Sequence, residues 1–299
     1  MKLEVRDLSK NYGKVEALRG VSFVLDSGVY GLLGPNGAGK STLIKIITGN
    51  VQASRGKVFY DGTDIRKDGK DYKRKLGYVP QRQGMYDNFS ARKFLEYMAV
   101  LKDIKKKEIP EQVEHVLKIV DLWDVRDRKL GGFSGGMSQR ILIAQALLGE
   151  PEIIILDEPT AGLDPKERIK IRNFVSRIAE DKVILLATHV VSDVESIAKE
   201  VLLLGSGEIR KRGTVKALCE SIRGSVFECE ISTQDNFEEL EAQFAISNIQ
   251  EMSDGRMRLR LIGGEEDVYR YMDGRPVKEG FPNLQEVYLS VFDQRKVDV

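Results

Sequence analysis

The nonapeptide Gly34-Pro35-Asn36-Gly37-Ala38-Gly39-Lys40-Ser41-Thr42 limits what this chain can fold into more than any other stretch. It reads as a glycine, four residues, then Gly-Lys-Ser, and it is flanked by two apolar runs, residues 29–33 and 43–47. That setting predicts a buried strand, a tight loop and a helix. Gly34, Gly37 and Gly39 free the backbone to take conformations closed to residues with a Cβ, so that successive N–H groups turn inward around one anion. A helix starting near Lys40 adds the positive end of its dipole at the same place. On this reading the loop binds phosphate, Lys40 reaches the β- and γ-phosphates, and the Ser41 hydroxyl ligates Mg²⁺.

At 299 residues the chain exceeds the usual single-domain size, so one large domain with an appendage, or two domains, is expected. Hydrophobic residues at 41% and charged residues at 31% suit a globular protein, and a net charge of +1 gives no general pull toward nucleic acid or acidic lipid. No run of about 18 apolar residues occurs, and the opening MKLEVRDLSK lacks the apolar core of a signal peptide, so a cytoplasmic protein is expected. Cys219 and Cys229 have neither metal-ligand spacing nor a neighbouring histidine and read as buried, inert thiols.

Leu3 and Val5, then Val21, Phe23 and Leu25, alternate with polar residues as strands do, with the turn-like NYGK at 11–14 between them. Tyr12 in that turn is either a half-buried packing residue or a platform for a nucleotide base. Residues 56–60 and 76–80 read as short strands, the second ending in YVPQ. The basic run between them, from Arg66 to Lys75, reads as a solvated face. Phe94, Leu95, Met98 and Leu101, and then Val113, Val116, Leu117 and Val120, follow helical spacing, so helices intervene before the next strand. In FSGGMSQR, Ser134 is a good N-cap for a buried helix, and with Gly135 and Gly136 behind it the same stretch makes an anion site at a helix start.

The stretch EIIILDEPTAGLD, residues 152–164, contains an apolar strand that delivers Asp157 and Glu158 at its carboxyl end, where ligands of open α/β sheets bind. Because adjacent residues on an extended strand point to opposite sides, the two carboxylates are assigned different work. Asp157 is suited to hold Mg²⁺, and Glu158 to face the attacking water. A further apolar strand, 183–187, ends in Thr-His and puts His189 at the same edge, within reach of a γ-phosphate. His115 lies in a helical pattern and reads as a surface or packing residue.

Taken together, these motifs resemble those of the ATP-binding subunit of ATP-binding cassette (ABC) transporters. GPNGAGKST looks like the Walker A motif, IIILDEPT the Walker B with its following glutamate, and FSGGM the signature. YVPQ looks like the Q-loop, AGLD the D-loop and TH the switch histidine, all in the family's order over residues 1–215. Phe133 and Met137 depart from the commonest signature, LSGGQ, while its Ser-Gly-Gly core is intact. The resemblance implies an α/β P-loop NTPase with a mixed, largely parallel sheet and a helical insertion at about 82–147. It further implies that Tyr12 stacks on adenine, that Gln81 senses Mg²⁺ and the attacking water, and that Asp164 works across a subunit interface. Ser134 and Gly136 would contact the γ-phosphate held by another subunit's loop. A chain with one copy of each motif then needs a second ABC ATPase subunit, identical or paralogous, with two ATP molecules between them.

Beyond about residue 216 a small α+β accessory domain is expected. Residues 226–231 and 257–261 read as strands, 237–244 as a helix, Ser253-Asp254-Gly255 as a hairpin turn, and Asn283 with Glu286 as a capping box. The tail resembles those of exporter ATPases that pair with a separately encoded permease. The expected function is therefore the ATP-hydrolysing subunit of an exporter, peripheral on the cytoplasmic face of the membrane, with ATP and Mg²⁺ as cofactors. Met85, Tyr86, Phe89, Phe94 and Tyr97 are either the permease contact or packing inside the helical insertion. The alternative is a soluble ABC ATPase acting on nucleic acid or ribosomes, for which the chain has neither a second cassette nor a basic surplus. A GTPase is excluded by the lack of an NKxD motif.

Overall fold

Residues 29–33, 153–156 and 183–187 are apolar without a polar partner at alternate positions, and each forms a strand buried on both faces. The computed structural model, which describes residues 1–81, 84–232, 235 and 237–293, gathers them into one parallel sheet. The chain forms two units, Met1–Ile209 and Arg210–Val299.

The first unit opens with β1 (Leu3–Tyr12) and β2 (Val15–Leu25), followed by β3 (Gly28–Leu33), α1 (Lys40–Ile47), β4 (Arg55–Tyr60), β5 (Thr63–Asp64), α2 (Gly69–Arg74) and β6 (Leu76–Val79). Three helices come next: α3 (Ala91–Leu101), α4 (Ile109–Ile119) and α5 (Gly135–Leu147). The chain then alternates through β7 (Ile153–Asp157), α6 (Pro165–Arg177), β8 (Val183–Thr188), α7 (Ser192–Glu195), β9 (Glu200–Gly205) and β10 (Glu208–Gly213). The division between the units falls inside β10.

Within the first unit the parallel strands run in the order β9-β3-β8-β7-β6, and a separate antiparallel sheet has the order β2-β1-β4-β5. Leu3, Val5 and Leu25 of the antiparallel sheet share one core with Leu43, Ile44 and Ile47 of α1 and with Ile153, Ile155 and Leu185 of the parallel sheet. Each fully buried Leu or Ile contributes roughly 1.5–3 kcal/mol. This packing holds the start of α1 at the carboxyl edge of the sheet.

The helices between β6 and β7 follow their sequence signals. The Ser90 hydroxyl accepts from the Lys93 N–H at 3.2 Å and caps α3, whose Phe94, Leu95 and Ala99 are buried. α4 begins at Ile109, four residues before the first apolar position of its pattern, Val113, and Pro110 suits its first turn. Arg66, Lys67, Lys70, Lys73 and Arg74 of the basic run are exposed, as expected, while Tyr72 among them is buried and its hydroxyl donates to the Ile47 carbonyl at 2.8 Å. The expected start of the insertion, residue 82, lies outside the described residues.

The second unit contains α8 (Val215–Glu220), β11 (Val226–Ile231), α9 (Phe237–Gln243), β12 (Ala245–Glu251), β13 (Met257–Ile262), α10 (Glu265–Met272), β14 (Val277–Glu279) and α11 (Leu284–Phe292). From β11 to β14 the order is β-α-β-β-α-β, and the antiparallel sheet order β12-β13-β11-β14 is that of a split βαβ, or ferredoxin-like, fold. Phe227, Cys229, Leu259 and Leu261 of the sheet pack with Leu240, Val268 and Met272 of α9 and α10. Burial pushes the Cys229 thiol up to about 11, which keeps it protonated. In α11 the Asn283 side chain accepts from the Glu286 N–H at 3.0 Å and Glu286 accepts from the Asn283 N–H at 2.9 Å, a complete capping box.

Candidate functional site

β3, β6, β7 and β8 run parallel, so the residues that follow them, Gly34, Gln81, Glu158 and His189, emerge at one edge of the sheet. The loop after β3 needs its glycines for two different reasons. Gly39 has φ +107, whereas a Cβ at Gly34 would lie 2.2 Å from the Leu204 carbonyl oxygen, so Gly34 serves close approach rather than a left-handed turn. α1 starts at Lys40 with no side-chain cap and no acidic residue in its first turn, which leaves its first N–H groups to an anion.

Lys40 is buried, and its Nζ donates to the carbonyls of Gly34 at 2.6 Å and Pro35 at 3.1 Å. Burial lowers its pKa, and the negative charges of Glu158 and Asp157 partly offset this. The Asp157 carboxyl is pushed up, first by burial and then by the charge of Glu158, with Lys40 pulling it back. Lys40 and the two carboxylates therefore feel one another across a cavity of ≈ 300 Å³, which is lined by Pro35 to Thr42, Gln81, Asp157 and Glu158. Ser41, Gln81 and Asp157 offer it a hydroxyl, an amide and a carboxylate. This all-oxygen donor set fits a Mg²⁺ that takes its remaining ligands from phosphate and water.

Glu158 corrects one step of the reasoning from sequence. β7 ends at Asp157, and Glu158 has φ +53, so the extended-strand argument does not apply to it. Both carboxylates line the same cavity. What separates them is the partner each has. Glu158 Oε1 lies 2.9 Å from His189 Nδ1 and Oε2 accepts from the Thr188 hydroxyl at 3.3 Å, while the Glu158 N–H donates to the Ala187 carbonyl at 2.8 Å. A glutamate in the left-handed region costs on the order of 1 kcal/mol or more, and such strain is concentrated at functional sites.

The remaining residues of interest lie off the cavity wall. Ser134 is exposed and caps α5, accepting from the Met137 N–H at 3.3 Å, with Gly135 exposed and Gly136 buried behind it. Asp164 is exposed and caps α6, accepting from the Glu167 N–H at 2.9 Å. Tyr12 ends β1 and is 47% exposed, and the Lys10 ammonium sits 5.0 Å from its ring centre. None of these lines the phosphate-loop cavity. His115 is exposed, as expected. Reasoning from sequence missed Glu16, Arg19, Ser206 and Gly207, which complete the cavity wall from β2 and the β9–β10 turn. No spacing rule links them to the loop. A larger cavity of ≈ 520 Å³, near α2 and β4, shares no residue with the phosphate loop.

The family model for ABC transporters matches residues 18–161. The chain is 36% identical over 212 residues to the ABC transporter ATP-binding protein NatA of Bacillus subtilis (strain 168), covering 70% of this chain and 86% of that protein. This chain belongs to the ATP-binding subunits of ABC transporters. The linearmycin resistance ATP-binding protein LnrL of the same organism is also 36% identical, over 74% of this chain and 72% of its own length. Among solved structures, cbiO1 from Clostridium perfringens, part of the transporter complex cbiONQ, superposes with a TM-score of 0.67 at 28% identity, covering 74% of this chain and 93% of that one. A dimeric ATP-binding cassette in a post-hydrolysis state with ADP and Pi superposes with a TM-score of 0.63 at 25% identity, covering 71% and 98%.

As an ABC subunit the chain binds ATP and is an ATPase coupled to membrane transport. Among the described residues no helix is long and apolar enough to cross a membrane. With relatives that are transporter subunits, the soluble factor acting on nucleic acid or ribosomes is set aside.

Proposed function

We propose that this ABC subunit powers an exporter by ATP-driven dimerisation. The observation that carries this reading is the separation of two anion sites. The phosphate loop has its own cavity, and Ser134, Gly135 and Gly136, a second helix start with exposed groups, are absent from its lining. One subunit's Ser134 and Gly136 would close on the γ-phosphate held by the other subunit's 34–42 loop, and Asp164 would work across the same interface. The dimeric cassette with ADP and Pi supports this arrangement, and the linearmycin resistance relative supports export.

In each composite site Lys40 gives up its bonds to Gly34 and Pro35 for the β- and γ-phosphates, and the α1 N–H groups hold the same anion. Ser41, Asp157 and Gln81 would hold a Mg²⁺, which would supply charge neutralisation at the phosphate oxygens. Glu158 aligns the attacking water as general base, and His189, 2.9 Å from its carboxylate, holds that carboxylate in place and faces the γ-phosphate. Tyr12, exposed at the end of β1, stacks on adenine. Loss of the γ-phosphate removes the charge that joins the subunits, and the dimer opens.

The permease would meet Tyr86, Phe89 and Tyr97. Tyr86 stacks on Phe89 at 5.1 Å and meets Tyr97 edge-on at 5.7 Å, and both tyrosines are largely exposed. Phe94, by contrast, belongs to the interior. The chain would then be peripheral on the cytoplasmic face, with residues 216–299 as an accessory domain.

Mixing distinguishes a composite site from a self-contained one. Lys40→Ala and Ser134→Arg chains should each be inactive alone, yet their mixture should regain activity, because the mixed dimer keeps one site with both an intact loop and an intact signature. No regained activity in mixtures shown to form mixed dimers would overturn the reading.

A further inference from the structure

Asp193 is 1% exposed, yet its carboxylate accepts a single side-chain hydrogen bond, from the hydroxyl of Thr160, which is also 1% exposed. Its other oxygen, Oδ1, is buried with no hydrogen-bond partner. A carboxylate held this way is poor packing material: an apolar side chain of similar size would fill the space without desolvating a charge. Its value lies in where its bond leads. Thr160 lies two residues after Glu158 and four before Asp164, in the turn where the Ala161 N–H donates to the Glu158 carbonyl and the Leu163 N–H to the Thr160 carbonyl, both at 3.2 Å. Asp193 lies four residues after His189 at the start of α7, its N–H donating to the Val190 carbonyl at 3.1 Å.

Two loops therefore meet at two points. At one, Thr188 and His189 hold the Glu158 carboxylate, and at the other Asp193 holds the turn that carries Glu158. Arg172 of α6 adds a backbone tie from the same side, donating to the Ser192 carbonyl at 2.8 Å. Glu158 needs such a clamp, because a left-handed glutamate relaxes unless its surroundings fix it.

We infer that Asp193 is a positioning residue for ATP hydrolysis, acting through Thr160 to fix the Glu158 turn against the His189 loop. This rests on the proposed role of Glu158 as the group that aligns the water. The phosphate loop shares neither bond, so the clamp should govern turnover and leave nucleotide affinity to Lys40 and α1.

The test is steady-state ATPase kinetics on the full-length chain, with melting curves to confirm folding. Thr160→Val removes the hydroxyl at nearly constant volume and should lower kcat about tenfold or more with KM changed less than about threefold, the split expected when a transition-state interaction alone is lost. Thr160→Ser keeps the hydroxyl and should restore the rate. Asp193→Ala should match Thr160→Val, and the double variant should be no slower than either single one. In a Glu158→Gln background neither change should slow turnover further. Folded Thr160→Val protein with a wild-type kcat overturns the inference, as does a further drop in the Glu158→Gln background. A wild-type rate for Glu158→Gln itself instead overturns the assignment of Glu158, so the two failures are told apart.

Discussion

His189 Nδ1 lies 2.9 Å from Glu158 Oε1 although the residues are 31 positions apart, joined only by the parallel pairing of β7 with β8. The ring meets the carboxylate at the strand ends that face the phosphate loop, beside the Thr188 hydroxyl bond to Oε2. Replacing Glu158 by Gln keeps the shape and removes the base. Turnover should fall by a factor on the order of 10² or more while ATP binding persists, and the protein should run as an ATP-bound dimer on size exclusion. Near wild-type turnover would contradict the assignment.

Lys40 bonds to the loop's own carbonyls, at Gly34 and Pro35. Lys40→Ala should abolish nucleotide binding and dimerisation together. ATP at a hundred times its dissociation constant stabilises a binder by about 2.7 kcal/mol, so the wild-type chain should show an ATP-dependent rise in melting temperature that the variant lacks. A retained shift would remove Lys40 from the site.

Tyr86 and Tyr97 form the exposed part of an aromatic cluster whose other side is anchored by buried Phe94. Tyr86→Ala and Tyr97→Ala should each weaken association with the permease about thirtyfold, as the loss of about 2 kcal/mol at an interface hot spot does. Co-purification with the permease from membranes at graded salt and detergent reads this directly, and undiminished recovery would place the contact elsewhere.

Glu286 is fully buried and accepts from Arg260 Nε at 2.7 Å, Arg260 Nη2 at 3.1 Å and the Ser247 hydroxyl at 2.8 Å, besides capping α11. Burial pushes its carboxyl up, but the bonds from Arg260, the Asn283 N–H and Ser247 outweigh this and leave it below its ordinary 4.5. A carboxyl lowered in the folded state stabilises above its unfolded value, and that stability is lost as pH falls through the folded value. Hydrogen-exchange protection of β13 and α11 should therefore fall as the pH drops below about 4.5. Glu286→Ala should cost roughly 1.5–3 kcal/mol at neutral pH, since the Arg260 guanidinium loses two charge-assisted bonds but keeps its bond to Glu228 at 2.6 Å.

The parts of this fold that could be read from the chain are those where one physical signal acts alone. Residues 153–156 and 183–187 are short, wholly apolar runs, mostly of β-branched and leucine residues, which suit a strand buried on both faces. The phosphate loop is legible for the same reason: Gly39 at φ +107 excludes other residues. The rest depends on neighbours that sequence spacing does not announce. β12 was hidden because its last four residues, Asn248 to Glu251, are exposed and show no buried alternation. α10 was hidden by an acidic first turn, although Val268 and Met272, four apart, are its buried stripe. Extended-strand alternation mispredicted Glu158 because the strand stops one residue earlier. The Thr160–Asp193 bond was invisible because neither residue belongs to a motif with fixed spacing to the other.

The left-handed backbone at Glu158 has an evolutionary consequence. Glycine, and to a lesser degree asparagine, occupies φ +53 more easily than glutamate, so replacing Glu158 with either relieves local strain while removing the base. Stability and turnover are opposed at this one codon. A population of such chains selected for heat resistance alone would drift toward cassettes that bind ATP without turning it over, so keeping glutamate there requires continuous selection for turnover.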